Sequence, residues 1–325
     1  MRLVLFMQTK PGRDRQYLDN LVEFVNCEFG LGITGINPAA RGFYGETWRL
    51  DEDGGSYFAK LDYHDDHQIK YQRSFAVMDY LADCGVDFIS KIVKPLNGGL
   101  CGTFDGAVLG VFEWIDGQNI ETDATKAAEY QMLCEIYSHT KPGFHIPAAE
   151  FSDYEARRVY RQWKILDSMP KNEITRAALD LLVNYKNILS RHAAQLSKIS
   201  QLSTSHDFYF THGDAGGNFV VGGDKNYLVD WDEAMYAPIE RDAWVMCCYD
   251  WARDLFNETL AKNGIAYELQ PLRLAYYCYH MFFHYLGEFL DDVINNSEIK
   301  GLRGYLGEEW IFQRLEFAEG IYDNF

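Results

Sequence analysis

Between Phe208 and Asp232 the chain gathers side-chain oxygens of the type and spacing that could handle a phosphoryl group. His212, Asp214 and Asn218 stand ahead of or at the start of an apolar run, Asn218–Val221. The turn Gly222-Gly223-Asp224 and a second run, Tyr227–Val229, follow, and Asp230 closes that run. Two apolar runs joined by a Gly-Gly-Asp turn read as a β-hairpin. A hairpin would carry Asp214, Asn218 and Asp230 to one place. Phosphoryl transfer needs one carboxylate beside the attacking hydroxyl and one or two oxygen ligands for magnesium beside the phosphates. This segment could supply both. The competing reading is an exposed Asp/Gly-rich hairpin whose carboxylates only cap turns, and it requires several matched positions to coincide.

The elements that must position these residues change character along the chain. The first third has short β-type segments punctuated by glycine, at Gly42–Leu50, Ser56–Leu61, Gly99–Thr103 and Ala107–Trp114. One helical pattern, about Asp66–Leu81, interrupts them before Gly85. After Asp116-Gly117 the periodicity becomes helical, at about Thr125–Thr140, Tyr154–Leu166 and Glu173–Ile199, and again from Pro238 to the C-terminus. The expected fold is therefore α+β. Residues 1–115 would form a small β-rich lobe with one packed helix, and residues 116–325 a larger, mainly α lobe that contains the β-island.

The run Thr211-His212-Gly213-Asp214-Ala215-Gly216-Gly217-Asn218-Phe219-Val220, followed by Leu228-Val229-Asp230-Trp231-Asp232-Glu233, resembles the signature of the aminoglycoside phosphotransferase and choline kinase superfamily. That family has a bilobal, protein-kinase-like fold. The resemblance implies that Asp214 is the catalytic base or orients the hydroxyl, that Asn218 and Asp230 hold Mg2+, and that His212 and Asp242, the latter in Pro238-Ile239-Glu240-Arg241-Asp242, support the catalytic loop. Upstream, Gly42-Phe43-Tyr44-Gly45 is similar to the family's phosphate-covering turn, and Tyr57-Phe58-Ala59-Lys60-Leu61 to its lysine-bearing strand. By that likeness Gly42, Gly45 and Lys60 would meet the phosphates of ATP or GTP, and backbone groups near Glu113 and Ile115 the adenine. The stretch from Asp230 to Asp242 looks closest to spectinomycin-type and hygromycin-type phosphotransferases. The implied activity is transfer of a γ-phosphate to a hydroxyl of a small, cationic acceptor. A metabolite kinase acting on a choline-like, sugar or homoserine acceptor, and a nucleotide-binding pseudokinase, are the alternatives.

The sequence departs from the family pattern at two points. Asn218 lies four residues after Asp214 where five is usual, a shortening that Gly216 and Gly217 could absorb. The helix glutamate that partners the lysine is missing, with Ser74 near its place and Asp79 or Asp66 as substitutes.

Forty-eight acidic residues against 30 basic give a formal net charge of -18, and no basic run interrupts it. Nucleic acid and anionic membrane are poor partners for such a surface, whereas a cationic small molecule is drawn to it. Asp232 and Glu233, with Asp291 and Asp292, are the acidic candidates for binding an acceptor, and Glu308 and Glu309 belong to the same group. His280, His284 and Glu288 recur every four residues, a spacing able to ligate zinc, on a helix so aromatic that packing is the simpler reading. His64-Asp65-Asp66-His67 reads as a helix start capped by Asp65 or Asp66. Seven scattered cysteines without CxxC spacing, and no apolar stretch of membrane-spanning length, point to the cytoplasm.

Overall fold

Alternation in the early strands sets the first layer of the structure. The computed structural model describes residues 13–39, 45–204 and 207–324, and it divides into two units, each considered by itself. The first takes in the described residues up to Ala148 together with Tyr209–Ala237 and Glu258–Ala266. It opens with α1 (Arg15–Phe29), capped at its N-terminus by the Asp14 carboxylate, which accepts from Tyr17 N. Then come β1 (Gly35–Pro38), β2 (Glu46–Glu52), β3 (Gly55–Asp62), α2 (Asp65–Asp83), β4 (Gly102–Phe104) and β5 (Ala107–Glu113). The five strands form one antiparallel sheet in the order β1-β2-β3-β5-β4.

Period-two alternation gives this sheet two distinct faces. Ala59 and Leu61 of β3 pack with Leu50, Leu109 and Val111 against Leu21, Val25 and Phe29 of α1. The intervening residues Phe58, Lys60 and Asp62 point to the opposite face. There α2 lays Tyr71 and Phe75 on the sheet, and Gly110 leaves the room: a Cβ at 110 would meet the Tyr71 hydroxyl at 2.6 Å and the Phe75 ring at 2.7 Å. Gly45 makes a comparable approach on a backbone with φ of +73°, where a Cβ would fall 1.8 Å from the Leu61 carbonyl oxygen.

The same unit holds β6 (Gly117–Gln118), α3 (Asp123–Ser138), β7 (Tyr209–Thr211), β8 (Phe219–Gly222), β9 (Asn226–Leu228) and β10 (Met235–Ala237). The expected hairpin is β8–β9, with Phe219 opposite Leu228, and β6 adds to its outer edge. β7 pairs with β10. Leu228 N donates to the Phe88 carbonyl at 2.8 Å, which stitches the hairpin to the segment after α2.

The second unit is helical: α4 (Tyr154–Ser168), α5 (Glu173–Asn184), α6 (Lys186–Leu202), the short α7 (Glu240–Ala243), the start of α8 (Asp250–Lys262), and α9 (Pro271–Asn296), α10 (Lys300–Tyr305) and α11 (Glu309–Asp323). α9 is its axis. Thirteen of its residues are buried, among them Tyr276, Tyr279, Phe282 and Phe283, and α4, α6 and α11 pack around it.

Three local expectations need correcting. Arg15–Phe29 forms a second helix in a lobe expected to carry one. Glu173–Ile199 is two helices, broken at Tyr185, whose hydroxyl donates to the Leu306 carbonyl at 2.7 Å. The cap position of α2 is His64, not Asp65 or Asp66, and its N–H donates to Asp62 Oδ1 at 2.9 Å.

Two predictions follow from this packing. Gly213 has φ of +84°, and a Cβ there would lie 1.9 Å from the Glu233 carbonyl oxygen, whereas a Cβ on Gly223 meets nothing within 4 Å. Gly213→Ala is expected to lose at least about 2 kcal/mol in urea denaturation, and Gly223→Ala to stay near wild type. His192 of α6 is 2% exposed and bonds Gln195 Oε1 at 3.0 Å; burial pushes its pKa down to about 4 from an ordinary 6.5. Its neutral form is the folded one, so this contribution is intact above pH 6.5 and is lost as pH falls toward 4. The loss is expected to reach up to about 3 kcal/mol, and His192→Gln should flatten that part of the stability-pH profile.

Candidate functional site

Lys60 enters the site from the middle of β3, opposite Thr47 on β2 and Gly110 on β5. The side chain is only 7% exposed, and Tyr71 stands beside it with its ring centroid 5.4 Å from Nζ. Its ammonium bonds Asp230 Oδ1 at 2.7 Å and makes a short contact with Asp232 Oδ2. Burial alone would lower the lysine pKa, but the two carboxylates outweigh it and hold the ammonium well above its ordinary value. Burial likewise works to raise Asp230, yet Lys60 keeps it below the usual carboxylate range. Asp232 goes the other way. Burial, reinforced by the neighbouring Asp230 charge, pushes it up to about 7 against the pull of Lys60.

The departure noted in the helix is resolved here. Lys60 is paired, but with Asp230 and Asp232 rather than with an acid of α2. Ser74 is buried and donates to the Tyr71 carbonyl, and Asp79 binds Lys94 at 2.6 Å. What α2 brings instead is positive charge. His67 makes a short Nδ1 contact with Asp62 and its Nε2 lies 3.5 Å from Glu233 Oε1, while Lys70 Nζ lies 3.4 Å from the same oxygen. Burial opposes protonation of His67, but Asp62 and Glu233 raise its pKa to about 9. Asp62, His67 and Asp232 could each turn one ligand atom into a single buried space.

The catalytic-loop candidates are built from β7 onward. His212 is fully buried; its Nε2 donates to the Val229 carbonyl at 2.8 Å and its Nδ1 accepts from Asp214 N at 3.3 Å, which requires the neutral Nε2–H tautomer. Its ring packs 4.7 Å from that of Trp231. Asn218 Nδ2 donates to both the carbonyl oxygen of Asp214, at 2.7 Å, and its carboxylate, at 3.1 Å. Gly216, with φ of +88°, is the residue that accommodates the short loop, and its N–H donates to buried Glu129 of α3 at 2.8 Å. Asn119 Nδ2 donates to the Gly217 carbonyl. Val229 N donates to the Asn218 carbonyl at 3.0 Å, so Asn218 and Asp230 sit on neighbouring positions across the hairpin. Asp230 itself has φ of +65°, a left-handed backbone that few residues other than glycine, asparagine and aspartate adopt.

Of the residues expected to do chemistry, Lys60, His212, Asp214, Asn218, Asp230, Asp232 and Glu233 all belong to the first unit. Asp232 is bonded by Lys60, and Glu233 faces His67 and Lys70. Gly42 lies outside the described residues. Glu113 N donates to the Lys91 carbonyl at 2.9 Å, and Ile115 N–H has no acceptor among the described residues. Glu113 and Ile115 line a cavity of about 280 Å³ with Asp87, Lys91, Lys225 and Tyr227, and none of the loop residues reaches it. Asp242, Asp291 and Asp292 belong to the second unit. Asp242 is fully buried, and Asp291 bonds Arg158 at 2.5 Å. Glu288 also binds Arg158, at 2.6 Å, and His284 lies 3.5 Å from Glu155. Asp62, His67, Lys70, Asn119 and Glu129 were not anticipated as site residues.

Three comparisons bear on this arrangement. No curated sequence matches the chain. Among solved structures, spectinomycin phosphotransferase APH(9)-Ia in complex with ADP and spectinomycin aligns over 94% of this chain and 98% of its own, at 17% identity and a TM-score of 0.73. Choline kinase LicA from Streptococcus pneumoniae aligns over 95% and 100%, at 13% identity and a TM-score of 0.54. The GDP and kanamycin complex of APH(2")-IIIa aligns over 94% and 99%, at 13% identity and a TM-score of 0.56. These similarities establish the kinase-like α+β fold. The family model described as the phosphotransferase enzyme family matches residues 35–277, which include Lys60 and the whole of the loop and hairpin. With that match over more than half its length, the chain belongs to the phosphotransferase enzyme family.

Proposed function

We propose that the protein is a small-molecule kinase that transfers the γ-phosphate of ATP or GTP to a hydroxyl of an aminoglycoside- or aminocyclitol-like acceptor. The observation that carries this reading is the convergence, in one unit, of Asp214 clasped by Asn218 with Asp230 held by Lys60. Asp214 would accept or orient the acceptor hydroxyl, and the Asn218 amide nitrogen bonded to its carboxylate fixes that orientation. Residues 1–115 would serve as the nucleotide lobe, with Gly42, Gly45 and Lys60 at the phosphates and the Ile115 N–H, which has no acceptor among the described residues, at the base. Residues 116–325 would form the catalytic and acceptor-binding lobe, with Asp232, Glu233, Asp291 and Asp292 on the acceptor side. His212 and Asp242 would support the loop.

The donor set suits magnesium. With its amide nitrogen committed to Asp214, Asn218 has Oδ1 left to offer, and Asp230 adds a carboxylate; hard oxygens of this kind are what the ion prefers. When bound, magnesium would offset the phosphate charge. Lys60 would then share its ammonium between the nucleotide and its present carboxylate partners, and catalysis would consist mostly of positioning and charge stabilisation. Likeness to structures that carry ADP or GDP supports nucleotide use. The seven free cysteines agree with a reducing, cytoplasmic setting, and no described helix is long and apolar enough to cross a membrane.

The test is magnesium-dependent consumption of ATP and GTP against aminoglycosides, spectinomycin, hygromycin, choline, homoserine and sugars. One acceptor should drive turnover, chelation of the metal should abolish it, and Asp214→Asn should lower it by about 10²- to 10⁴-fold while keeping nucleotide-dependent thermal stabilisation. Lys60→Met should lose that stabilisation as well. Nucleotide binding with no turnover on any acceptor, in wild type and Asp214→Asn alike, would refute the kinase reading in favour of a scaffold.

A further inference from the structure

Two of the seven cysteines stand sulfur to sulfur in the second unit. Cys248 Sγ lies 3.9 Å from Cys278 Sγ, although the two are 30 positions apart in sequence. Cys278 is on α9 and fully buried. Cys248 is partly exposed, in the irregular stretch between α7 and α8 and next to the exposed Tyr249. At 3.9 Å the two thiols already touch, and a bond between them asks for about 2 Å of further approach. Because α4, α6 and α11 pack around α9, that movement falls to Cys248, whose backbone belongs to no helix or strand.

Local bonding divides the roles between the sulfurs. The Cys248 S–H donates to the Trp244 carbonyl at 3.2 Å, so the hydrogen between the two cysteines comes from Cys278. Two guanidiniums hold the same stretch of chain: Arg314 donates to the Val245 carbonyl at 2.7 and 3.0 Å, and Arg253 to the Cys247 carbonyl at 3.3 Å. The Cys278 hydrogen bond, and after it the charges of Arg314 and Arg253, draw the Cys248 thiol below its ordinary range against the effect of burial. Burial, and then the same hydrogen bond, push Cys278 well up. A partly exposed thiol beside cations is the reactive kind, whereas a buried thiol is inert toward reagents it does not touch. Cys247, next in the chain, is buried and turns its thiol to the Ala252 carbonyl at 3.8 Å.

We propose that Cys248 and Cys278 are an oxidisable pair that a small-molecule disulfide closes into an intramolecular disulfide, with Cys248 attacking and Cys278 resolving. The Cys248 thiolate attacks one sulfur of the small disulfide and forms a mixed disulfide; the other half leaves as a thiolate and takes up the proton that Cys248 gave up. Cys278 then attacks Cys248 Sγ. The bond from Cys248 to the small thiol breaks, and that sulfur leaves with the electron pair and the Cys278 proton. Two protein thiols are oxidised, and one small disulfide is reduced to two thiols. The new bond fastens the stretch between α7 and α8 to α9, and a reducing setting keeps it open. None of this depends on the kinase reading, and it is measured equally well in a protein that turns over no acceptor.

The probe is glutathione disulfide, in excess over the folded full chain, with remaining thiols blocked afterwards and the peptides read by mass spectrometry. The Cys248 and Cys278 peptides should be linked to each other, carry no glutathione and separate again in dithiothreitol. Exposed Cys27 and Cys84 serve as reference single thiols, which keep the glutathione they take. Cys248→Ser should lose the link and leave Cys278 a free thiol, Cys247→Ser should keep the link, and Cys278→Ser should leave glutathione retained on Cys248. Since Cys278→Ser alters a buried position, the variants at 247 and 248 decide the matter if it does not fold. Cys248 that remains a free thiol in wild type, or that retains glutathione beside an unmodified Cys278, would overturn the proposal. So would a link that forms only in denaturant, or one that survives Cys248→Ser by way of Cys247.

Discussion

A buried ammonium held by two carboxylates governs the first unit. Lys60 comes from a strand of the five-stranded sheet, whereas Asp230 and Asp232 come from the end of a hairpin about 170 residues later. Neither partner is well placed alone. The lysine would be a desolvated cation, and the two aspartates would be like charges in each other's field. Bringing them together satisfies both, and the cost of the arrangement is visible in the strained backbone of Asp230 and in the raised pKa of Asp232. The short strands, the glycine at 213 and the clasp of Asn218 on Asp214 all serve to bring this hairpin end to the sheet in a fixed orientation.

Around that contact runs a ring of weaker ties. His67 and Lys70 lean from α2 toward Glu233, Asp62 anchors both the start of α2 and the His67 ring, and Glu129 and Asn119 fasten the two glycines of the loop. The loop's geometry is thus set from three directions. Hydrogen-bonded polar networks of this kind rigidify their surroundings.

The parts of this architecture legible in sequence were those whose chemistry is local. The loop and hairpin lie within about twenty residues, and their glycines, carboxylates and apolar runs announce a turn-strand-turn-strand order directly. The alternation in β3 placed Lys60 on a strand. The parts that escaped depend on pairings across long stretches of chain. His67 stands in an acidic, polar segment that looks like an ordinary helix start, and only its approach to Asp62 and Glu233 gives it a role. Glu129 is one of three acids on α3 until the Gly216 N–H is found against it. α1 carried a readable signal, Leu21, Val25 and Phe29 at four-residue intervals, that glycine-rich surroundings obscured. The break between α5 and α6 carried none: Tyr185, which stands at it, is neither proline nor glycine.

The reversed polarity of α2 bears on how distant relatives are sorted into working and defunct members. A tally that required an acidic residue on this helix to partner the lysine would file the chain among proteins that have lost their chemistry. Here the acidic partners stand at the hairpin end, and His67 and Lys70 of the helix face Glu233. Lys60 finds its negative charge at Asp230 and Asp232, so the lack of a glutamate at one helix position does not by itself leave the lysine unpaired.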